Sequence, residues 1–125
     1  MATIELTIEN FEQTINDNDT VFVDFWAEWC GPCRQFGPVF EEAAAQNSDI
    51  VFGKVDADTQ QELAGHFNIR SIPTLMAIRD NVVLFSQPGA LPAHALDDLI
   101  TQIRAIDMDD VRRQIAEEQS ASTTE

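Results

Sequence analysis

The sequence predicts an α/β fold in which a mixed central sheet, with a parallel core and an antiparallel hairpin, is flanked by helices. Through the first half of the chain, apolar runs rich in β-branched and aromatic residues alternate with segments of helical periodicity. This order is typical of parallel strands joined by helices. Two short strands then follow one another closely, which predicts the hairpin.

The first half of the chain carries three predicted strands, at Thr3–Leu6, Thr20–Trp26 and Ile50–Val55. The second is nearly all apolar, as a strand buried on both faces should be, so we expect it in the middle of the sheet. Apolar residues at helical spacing follow each strand. The three predicted helices run from Thr7 through Ile15, from Pro32 through Ala43, and from a cap at Thr59 through Phe67.

The second half begins with the hairpin strands Thr74–Ile78 and Val82–Ser86, joined by Arg79-Asp80-Asn81. Asn tolerates a positive φ, which suits a tight turn between antiparallel strands. The next helix is predicted from Pro92 to about Ile106 and presents a single apolar face. That face consists of Leu96, Leu99, Ile100 and Ile103.

After residue 106 the composition changes, so we divide the chain into a domain at residues 1–106 and a C-terminal extension at 107–125. Asp107 is placed to cap a short helix from Met108 to about Glu117, which we expect to pack on the last helix of the domain. The acidic, Ser- and Thr-rich end, from Glu117 onward, is predicted to be disordered.

Composition and charge narrow the classes of function. The chain of 125 residues is 44% apolar and carries a net charge of −15, and it lacks the run of about 20 apolar residues that a membrane span needs. Its negative charge would repel nucleic acids and anionic lipid surfaces. The N-terminus resembles no secretory signal, so we expect a cytoplasmic protein, where disulfides are usually transient and catalytic.

The two cysteines of the chain lie in FWAEWCGPCR, at the junction of the central strand and the next helix. Pro32 suits the first turn of a helix, so Cys30 should occupy the helix N-terminus, where the dipole favours a thiolate. Cys33 lies on the same helix face, close enough for a disulfide. We expect Cys30 to face outward with Cys33 behind it and Arg34 as a nearby cation.

Three other interpretations of the cysteines are weaker. Half of a structural zinc site would need two more ligands, yet the chain has no further cysteine, and His66 and His94 lie far along the sequence. A purely structural disulfide conflicts with the expected compartment and closes only a short ring. A thiol activated by histidine would need one of these two residues beside it, and neither is recognisably placed there.

Several motifs together resemble the thioredoxin family over roughly residues 3–106. They are VDFWAEWCGPC, Lys54 in the following strand, SIPTL at residues 71–75, and Gly89 before the next helix. The resemblance implies a thioredoxin fold and a protein-disulfide reductase in which Cys30 is the nucleophile and Cys33 the resolving thiol. The alternative is a thioredoxin-like binding or chaperone module whose thiols are secondary.

Asp24 lies in the middle of an apolar strand, where an ionised carboxylate must be protonated or paired. Lys54 is the only lysine of the chain and lies in the neighbouring predicted strand. In the family, an Asp at this motif position moves the proton of the second cysteine and faces a Lys. The resemblance therefore implies proton transfer by Asp24 paired with Lys54. In the alternative, backbone groups satisfy Asp24 and Lys54 reaches solvent.

The family also has a cis peptide bond before the proline of the SIPTL motif, which implies a cis Ile72–Pro73 bond facing the cysteines. The backbone of Ile72 would then be free to pair with an extended substrate segment. The expected apolar contact surface for substrates consists of Trp29, Gly31, Pro32, Ile72, Pro73, Gly89 and Ala90. Trp26 is expected to be a packing residue rather than part of this surface.

The dipeptide between the cysteines indicates the direction of the reaction. Gly31-Pro32 is typical of reducing members of the family, whereas oxidases and isomerases usually carry a His before the second cysteine. The resemblance implies oxidised proteins as substrates and a thioredoxin reductase, commonly using FAD and NADPH, as the electron source. We expect this chain to be a monomer that binds no metal or cofactor and has no nucleic-acid or membrane partner.

Overall fold

The computed structural model describes residues 2–123 and contains a five-stranded mixed sheet. Its strands are β1 (Ile4–Glu5), β2 (Thr20–Trp26), β3 (Val51–Asp56), β4 (Thr74–Arg79) and β5 (Val82–Pro88), in the order β1-β3-β2-β4-β5. The strands β1, β3 and β2 are parallel, while β4 runs antiparallel to both β2 and β5. The predicted mixed sheet with β2 at its centre is therefore confirmed.

The described helices are α1 (Phe11–Asp17), α2 (Gly31–Gln46), α3 (Gln61–His66), α4 (Ala93–Ala105) and α5 (Met108–Thr123). Apolar residues of α2 and α4 pack against one face of the sheet, in a cluster that includes Phe22 and Phe52. Residues of α1 and α3 pack against the other face, around Val23 and Phe25. Within residues 2–123, no helix has both the length and the apolar character required to cross a membrane.

Two helix starts differ from the prediction because side chains close local turns first. The helix α1 begins at Phe11 rather than Thr7, since Asn10 Oδ1 accepts the N–H of Thr7 at 2.7 Å and closes a turn there. The cap of α3 is Gln60 rather than Thr59. Asp56 Oδ1 accepts the N–H groups of residues 58 and 59 and forms the turn that precedes α3.

The β4–β5 hairpin turns through Asp80 and Asn81, whose φ angles of 52° and 65° lie in the left-handed region. Positive φ at both central residues is the geometry of a tight turn that matches the twist of the strands. Arg79, the last residue of β4, donates from Nη1 to the carbonyl oxygens of Ile103 and Ile106 at 3.0 and 2.8 Å. This arginine thereby binds the C-terminal end of α4, where carbonyl groups lack partners within the helix.

The C-terminal helix α5 begins as predicted but extends further. Asp107 Oδ1 accepts the N–H groups of residues 109 and 110, so this residue caps the helix. The helix continues to Thr123, so the predicted end near Glu117 is wrong; Thr124 and Glu125 lie outside the described residues. Ion pairs three residues apart stabilise its first turns, and no Gly or Pro interrupts it.

The helix α5 is attached to the domain near the hairpin turn. Met108 is buried, and Val111 and Ile115 are half-buried. Arg112 forms an ion pair with Asp80 at 3.0 Å. This ion pair connects α5 to the turn between β4 and β5, a contact that the predicted packing on α4 did not include.

Candidate active site

The two cysteines lie where β2 passes into α2 and form a disulfide with a Cα–Cα distance of 5.2 Å. Cys30 is the N-cap of α2, and Pro32 lies in the first turn of the helix. The N–H of Cys33 donates to Cys30 Sγ at 3.2 Å. A helix N-terminus stabilises negative charge, so this position favours the thiolate of Cys30 in the reduced protein.

The two cysteines do not differ in exposure as predicted. Cys30 is 3% exposed and Cys33 is 4% exposed, so the expectation that Cys30 faces outward is wrong in the disulfide form. Both pack in a small apolar cluster with Ala27, next to Trp26 and Ile72. Their surroundings distinguish them instead, because Cys30 lies against Ile72 whereas Cys33 lines a pocket together with Lys54.

The Ile72–Pro73 peptide bond is cis, as the family resemblance implied. The carbonyl oxygen of Ile72 lies 3.7 Å from Cys30 Sγ. In the disulfide this sulfur has no proton to donate, so the approach is a contact, and a thiol at the same place could donate to the carbonyl. Gly89, with φ of 118°, donates its N–H to the Pro73 carbonyl at 2.8 Å and joins its loop to the site.

The residues expected to contact substrates differ in exposure. Trp29 is 66% exposed, Gly31, Pro32, Gly89 and Ala90 are exposed, Ile72 is half-buried, and Pro73 is buried. The contacts described above join the disulfide, the cis peptide bond and the loop that contains Gly89. The side chain of Pro73 is covered, so its contribution to the accessible surface is smaller than expected.

A pocket of about 410 Å³ lies beside this surface, between Trp29 and Ile72. The indole N–H of Trp29 donates to Asp58 Oδ2 at 2.8 Å, which holds the exposed ring in place. Asp58 and Arg70, which sequence reasoning did not select, also line the pocket. Asp58 lies just after the end of β3, the strand that pairs with β2. This position is the signal that could have identified it.

Asp24 is fully buried, and no group among residues 2–123 forms a hydrogen bond with either of its carboxylate oxygens. Burial raises the pKa of Asp24 from its ordinary value of 3.8 to about 7, although the positive charge of Lys54 opposes the rise. The alternative in which backbone groups satisfy Asp24 is wrong. A carboxyl group that titrates near neutral pH can accept and return a proton under ordinary conditions.

Lys54 lies opposite Asp24 in the register of β3 and β2. Its ammonium group forms no hydrogen bond with either oxygen of the Asp24 carboxylate. Lys54 Nζ instead lies 4.9 Å from the centroid of the Trp26 ring, a cation–π contact. The predicted pair is therefore coupled through charge but is not a direct ion pair, and Trp26 has a contact that the prediction of a packing role did not include.

A second pocket, of about 430 Å³, connects Cys33 with Lys54. Its other lining residues are Trp26, Ala27, Glu28, Arg34, Gly37, Pro38 and Glu41. The guanidinium of Arg34 donates twice to the Glu28 carbonyl oxygen, at 3.0 and 2.7 Å, so this predicted cation is held against the loop before α2.

Glu41 was not selected by sequence reasoning, yet it is firmly held in this pocket. Its Oε1 accepts the N–H of Ala2 at 2.8 Å and of Thr3 at 3.3 Å, and its Oε2 accepts the Thr3 hydroxyl at 2.8 Å. The hydroxyl of Thr3 contributes most to lowering the pKa of Glu41. No local signal identifies Glu41, because its partners Ala2 and Thr3 lie 39 and 38 residues before it in the sequence.

The described residues form no arrangement suited to a metal ion. Across residues 2–123, no three His, Cys, Asp or Glu side chains are grouped as metal ligands would be. His66 and His94 are both exposed. The junction of β2 and α2 holds the two sulfur atoms, and β2 carries one buried carboxyl group of raised pKa, that of Asp24.

Sequence comparison finds relatives along most of the chain. Residues 2–102 match the model of the family described as Thioredoxin. A Streptomyces coelicolor protein described as a thioredoxin 2 is 61% identical over 119 residues, which cover 95% of this chain and 89% of that protein. The thioredoxin of Bacillus subtilis is 37% identical over 103 residues, covering 82% of this chain and 98% of that protein.

Comparison with solved structures also finds thioredoxins. A thioredoxin from Plasmodium falciparum matches with a TM-score of 0.74 and 36% identity, over 80% of this chain and 97% of that chain. A mutant thioredoxin from Halobacterium salinarum matches with a TM-score of 0.78 and 32% identity, over 85% of this chain and 95% of that chain. The chain thus shares its fold with these proteins.

Proposed function

Because the chain belongs to the thioredoxin family and is a thiol–disulfide oxidoreductase that reduces protein disulfides, we propose specific roles for its site residues. The observation that carries the proposal is the Cys30–Cys33 disulfide at the N-terminus of α2, with the Ile72 carbonyl against Cys30. This arrangement supports Cys30 as the nucleophile and Cys33 as the resolving thiol. The absence of a His before Cys33 supports the reducing direction.

The proposed reaction transfers two electrons in two exchanges. The Cys30 thiolate attacks one sulfur of the substrate disulfide, so the substrate bond breaks, a mixed disulfide forms, and the leaving sulfur takes up a proton. Cys33 then gives up its proton and attacks Cys30 Sγ, which breaks the mixed disulfide and releases the second substrate sulfur as a thiolate that also takes up a proton. The protein is left with the Cys30–Cys33 disulfide, and the substrate is left with two thiols.

Asp24 is proposed to accept the proton of Cys33 in the second exchange. It lies on the face of β2 that α2 covers, since Phe22 on the same side of that strand packs with Phe36 of α2. The raised pKa of Asp24 suits it to this role near neutral pH. Lys54 is proposed to stabilise the negative charge that Asp24 carries in its deprotonated form, before it accepts the proton and after it releases it.

Substrates are proposed to bind along Ile72, with the exposed groups around it as the contact surface. A substrate segment could pair with the Ile72 backbone as an added strand. The surrounding contacts would come from Trp29, Gly31, Pro32, Pro73, Gly89 and Ala90. Because Pro73 is buried, its main contribution would be to fix the backbone of Ile72 rather than to contact the substrate. The pocket between Trp29 and Ile72 lies beside this surface and could hold a substrate side chain.

The proposed partners are oxidised proteins and a thioredoxin reductase that restores the dithiol with two electrons and two protons. The FAD and NADPH commonly used for this step would belong to the reductase, and this chain would bind neither. The proposed role is therefore electron transport for cell redox homeostasis in the cytoplasm. The net charge of −15 supports a monomer without nucleic-acid or membrane partners.

Reduction of insulin disulfides tests this function. When the full chain is present, a thioredoxin reductase should oxidise NADPH continuously, and the reduced insulin B chain should precipitate. Cys30→Ser should leave only the background rate, and an exposed Ser86→Ala variant should retain full activity. If the full chain shows no turnover with bacterial reductases and also none when dithiothreitol supplies the electrons, the alternative of a binding or chaperone module would replace the proposal.

Removing residues 107–125 should leave insulin reduction within about twofold of the full chain, because the extension lies outside the proposed site. The division into a domain at 1–106 and an extension at 107–125 predicts this result. The free energy of unfolding should fall by roughly 1–3 kcal/mol, since buried Met108 and the Arg112–Asp80 pair are lost.

Met108→Ala in the full chain serves as the control for this truncation. It should reduce stability in the same direction and leave activity unchanged. Urea unfolding and insulin reduction, measured on all three proteins, separate the two effects. Loss of activity in a truncated chain that still unfolds cooperatively would show that the extension takes part in binding the substrate or the reductase.

A further inference from the structure

The ammonium group of Lys54, the only lysine of the chain, does not lie against the buried carboxylate of Asp24, where it would be expected. Asp24 is fully buried, and its two oxygens lack hydrogen-bond partners within the described part of the chain, so direct contact with Lys54 would satisfy a costly unpaired group. Lys54 Nζ is nevertheless found over the Trp26 ring, at 4.9 Å from its centroid. The Trp26 ring attracts the ammonium group to this place, and a carboxylate that lines the same pocket can contribute.

Glu41 is the second carboxylate whose charge acts on Lys54, and both residues line the pocket beside Cys33. Three hydrogen bonds from Ala2 and Thr3 fix the Glu41 carboxylate and favour its charged form. The ammonium group lies close to the backbone of α2 at Gly37, since a Cβ atom added there would be in ordinary van der Waals contact with Lys54 Nζ at 3.7 Å. The charge of Lys54 thus acts on both Asp24 and Glu41, and of these two carboxylates Glu41 is the one held in place by hydrogen bonds.

We propose that Glu41 is a positioning residue for Lys54, which it holds at the wall of the pocket and away from direct contact with Asp24. Ala2 and Thr3 hold Glu41 in turn, so the N-terminal residues take part in arranging the site. The part of this inference that concerns turnover rests on the role proposed above for Asp24. The ammonium group is shared between the two carboxylates, and Asp24 retains enough affinity for a proton to act as a base near neutral pH.

Removing the charge of Glu41 should release Lys54 toward Asp24 and stabilise the Asp24 carboxylate. The other charged groups around the pocket are Arg34 and Glu28, which stay the same in every variant. Glu41→Gln keeps the size of the side chain. It should lower the midpoint of the Asp24 titration by roughly 0.3–1 pH unit, the effect of a partly screened charge at this range.

The titration can be followed by ¹³C NMR of the Asp24 carboxyl carbon in the oxidised full chain, without substrate or reductase. Glu42→Gln is the matched control, because Glu42 is the next residue of α2, is exposed and does not line the pocket. It should shift the midpoint by less than about 0.2 unit, since exposed charges are screened by solvent. Thr3→Val should produce a smaller shift than Glu41→Gln in the same direction.

A Lys54→Met background tests whether Glu41 acts through Lys54. In that background Glu41→Gln should leave the Asp24 midpoint where Lys54→Met alone puts it. An unchanged midpoint in Glu41→Gln, an equal shift in Glu42→Gln, or an undiminished shift in the Lys54→Met background would each overturn the inference. A purely structural role of Glu41 would change stability without moving this midpoint.

The pH profile of the resolving step connects the inference to turnover. Its apparent pKa should fall in Glu41→Gln by the same amount as the midpoint of the titration. A shift of the titration without a shift of the profile would still support the positioning role. It would count only against Asp24 as the proton acceptor. The role of Glu41 in positioning Lys54 and the role of Asp24 in proton transfer are therefore tested independently.

Discussion

Cys33→Ser should accumulate as a mixed disulfide with an oxidised protein substrate, whereas Cys30→Ser should form no such adduct. Exposure cannot produce this difference, because the two cysteines are 3% and 4% exposed in the disulfide form. The position of Cys30 at the helix N-terminus can produce it, since Cys30 Sγ accepts the N–H of Cys33 and this setting favours a thiolate. Cys30 also lies against Ile72, where substrates are proposed to bind.

Both single variants should lose continuous insulin reduction, by on the order of 10³-fold or more, because neither can complete both exchanges. Intact mass spectrometry after incubation with an oxidised substrate distinguishes the variants by the mass of the adduct. The double variant Cys30→Ser/Cys33→Ser is the control for non-covalent carry-over. An adduct on Cys33 in the Cys30→Ser protein, formed as fast as that on Cys30, would reverse the assigned roles.

Asp24→Asn should make the protein more stable above neutral pH while it slows the resolving step. The folded protein holds a proton on Asp24 up to about pH 7, whereas the unfolded chain releases it near pH 3.8. Between these values the unfolded state binds fewer protons, so the stability of the native protein falls as the pH rises. Below about pH 4, Asp24 is protonated in both the folded and the unfolded state, so the free-energy cost of burying its charged form is absent.

The full penalty above pH 7 corresponds to an upper bound of about 4 kcal/mol, and relaxation around the carboxylate should reduce it to about 1–3 kcal/mol. Asp24→Asn should recover this amount at pH 8 and almost none of it at pH 4. Asp98→Asn, at an exposed position of α4, is the matched control and should change the pH dependence little. Urea unfolding at both pH values measures the difference.

Single-turnover kinetics of the same variants measure the other half of the prediction. Loss of the proton acceptor should slow the release of the mixed disulfide by about 10²-fold, while the first attack by Cys30 stays close to its original rate. If Asp24→Asn gains stability but resolves the mixed disulfide at the normal rate, Asp24 would not be the base for Cys33.

Much of the fold could be predicted because its signals are local. The alternation of apolar strands and helical segments, the position of Cys30 before Pro32, and the cap at Asp107 all depend on residues a few positions apart. The starts of α1 and α3 were missed for an equally local reason. Side chains of Asn10 and Asp56 close turns that compete with the first turn of each helix.

The sequence by itself thus determined the mixed sheet, the position of the disulfide and the identity of its two sulfur atoms. Only the tertiary structure decided that Cys30 is buried, that Asp24 forms no hydrogen bond with Lys54, and that Lys54 lies over Trp26. These facts depend on which side chains meet when distant elements pack together. The contact between Thr3 and Glu41, 38 positions apart, shows why: spacing along a strand or helix gives the direction of a side chain, but the partner it meets comes from another part of the chain.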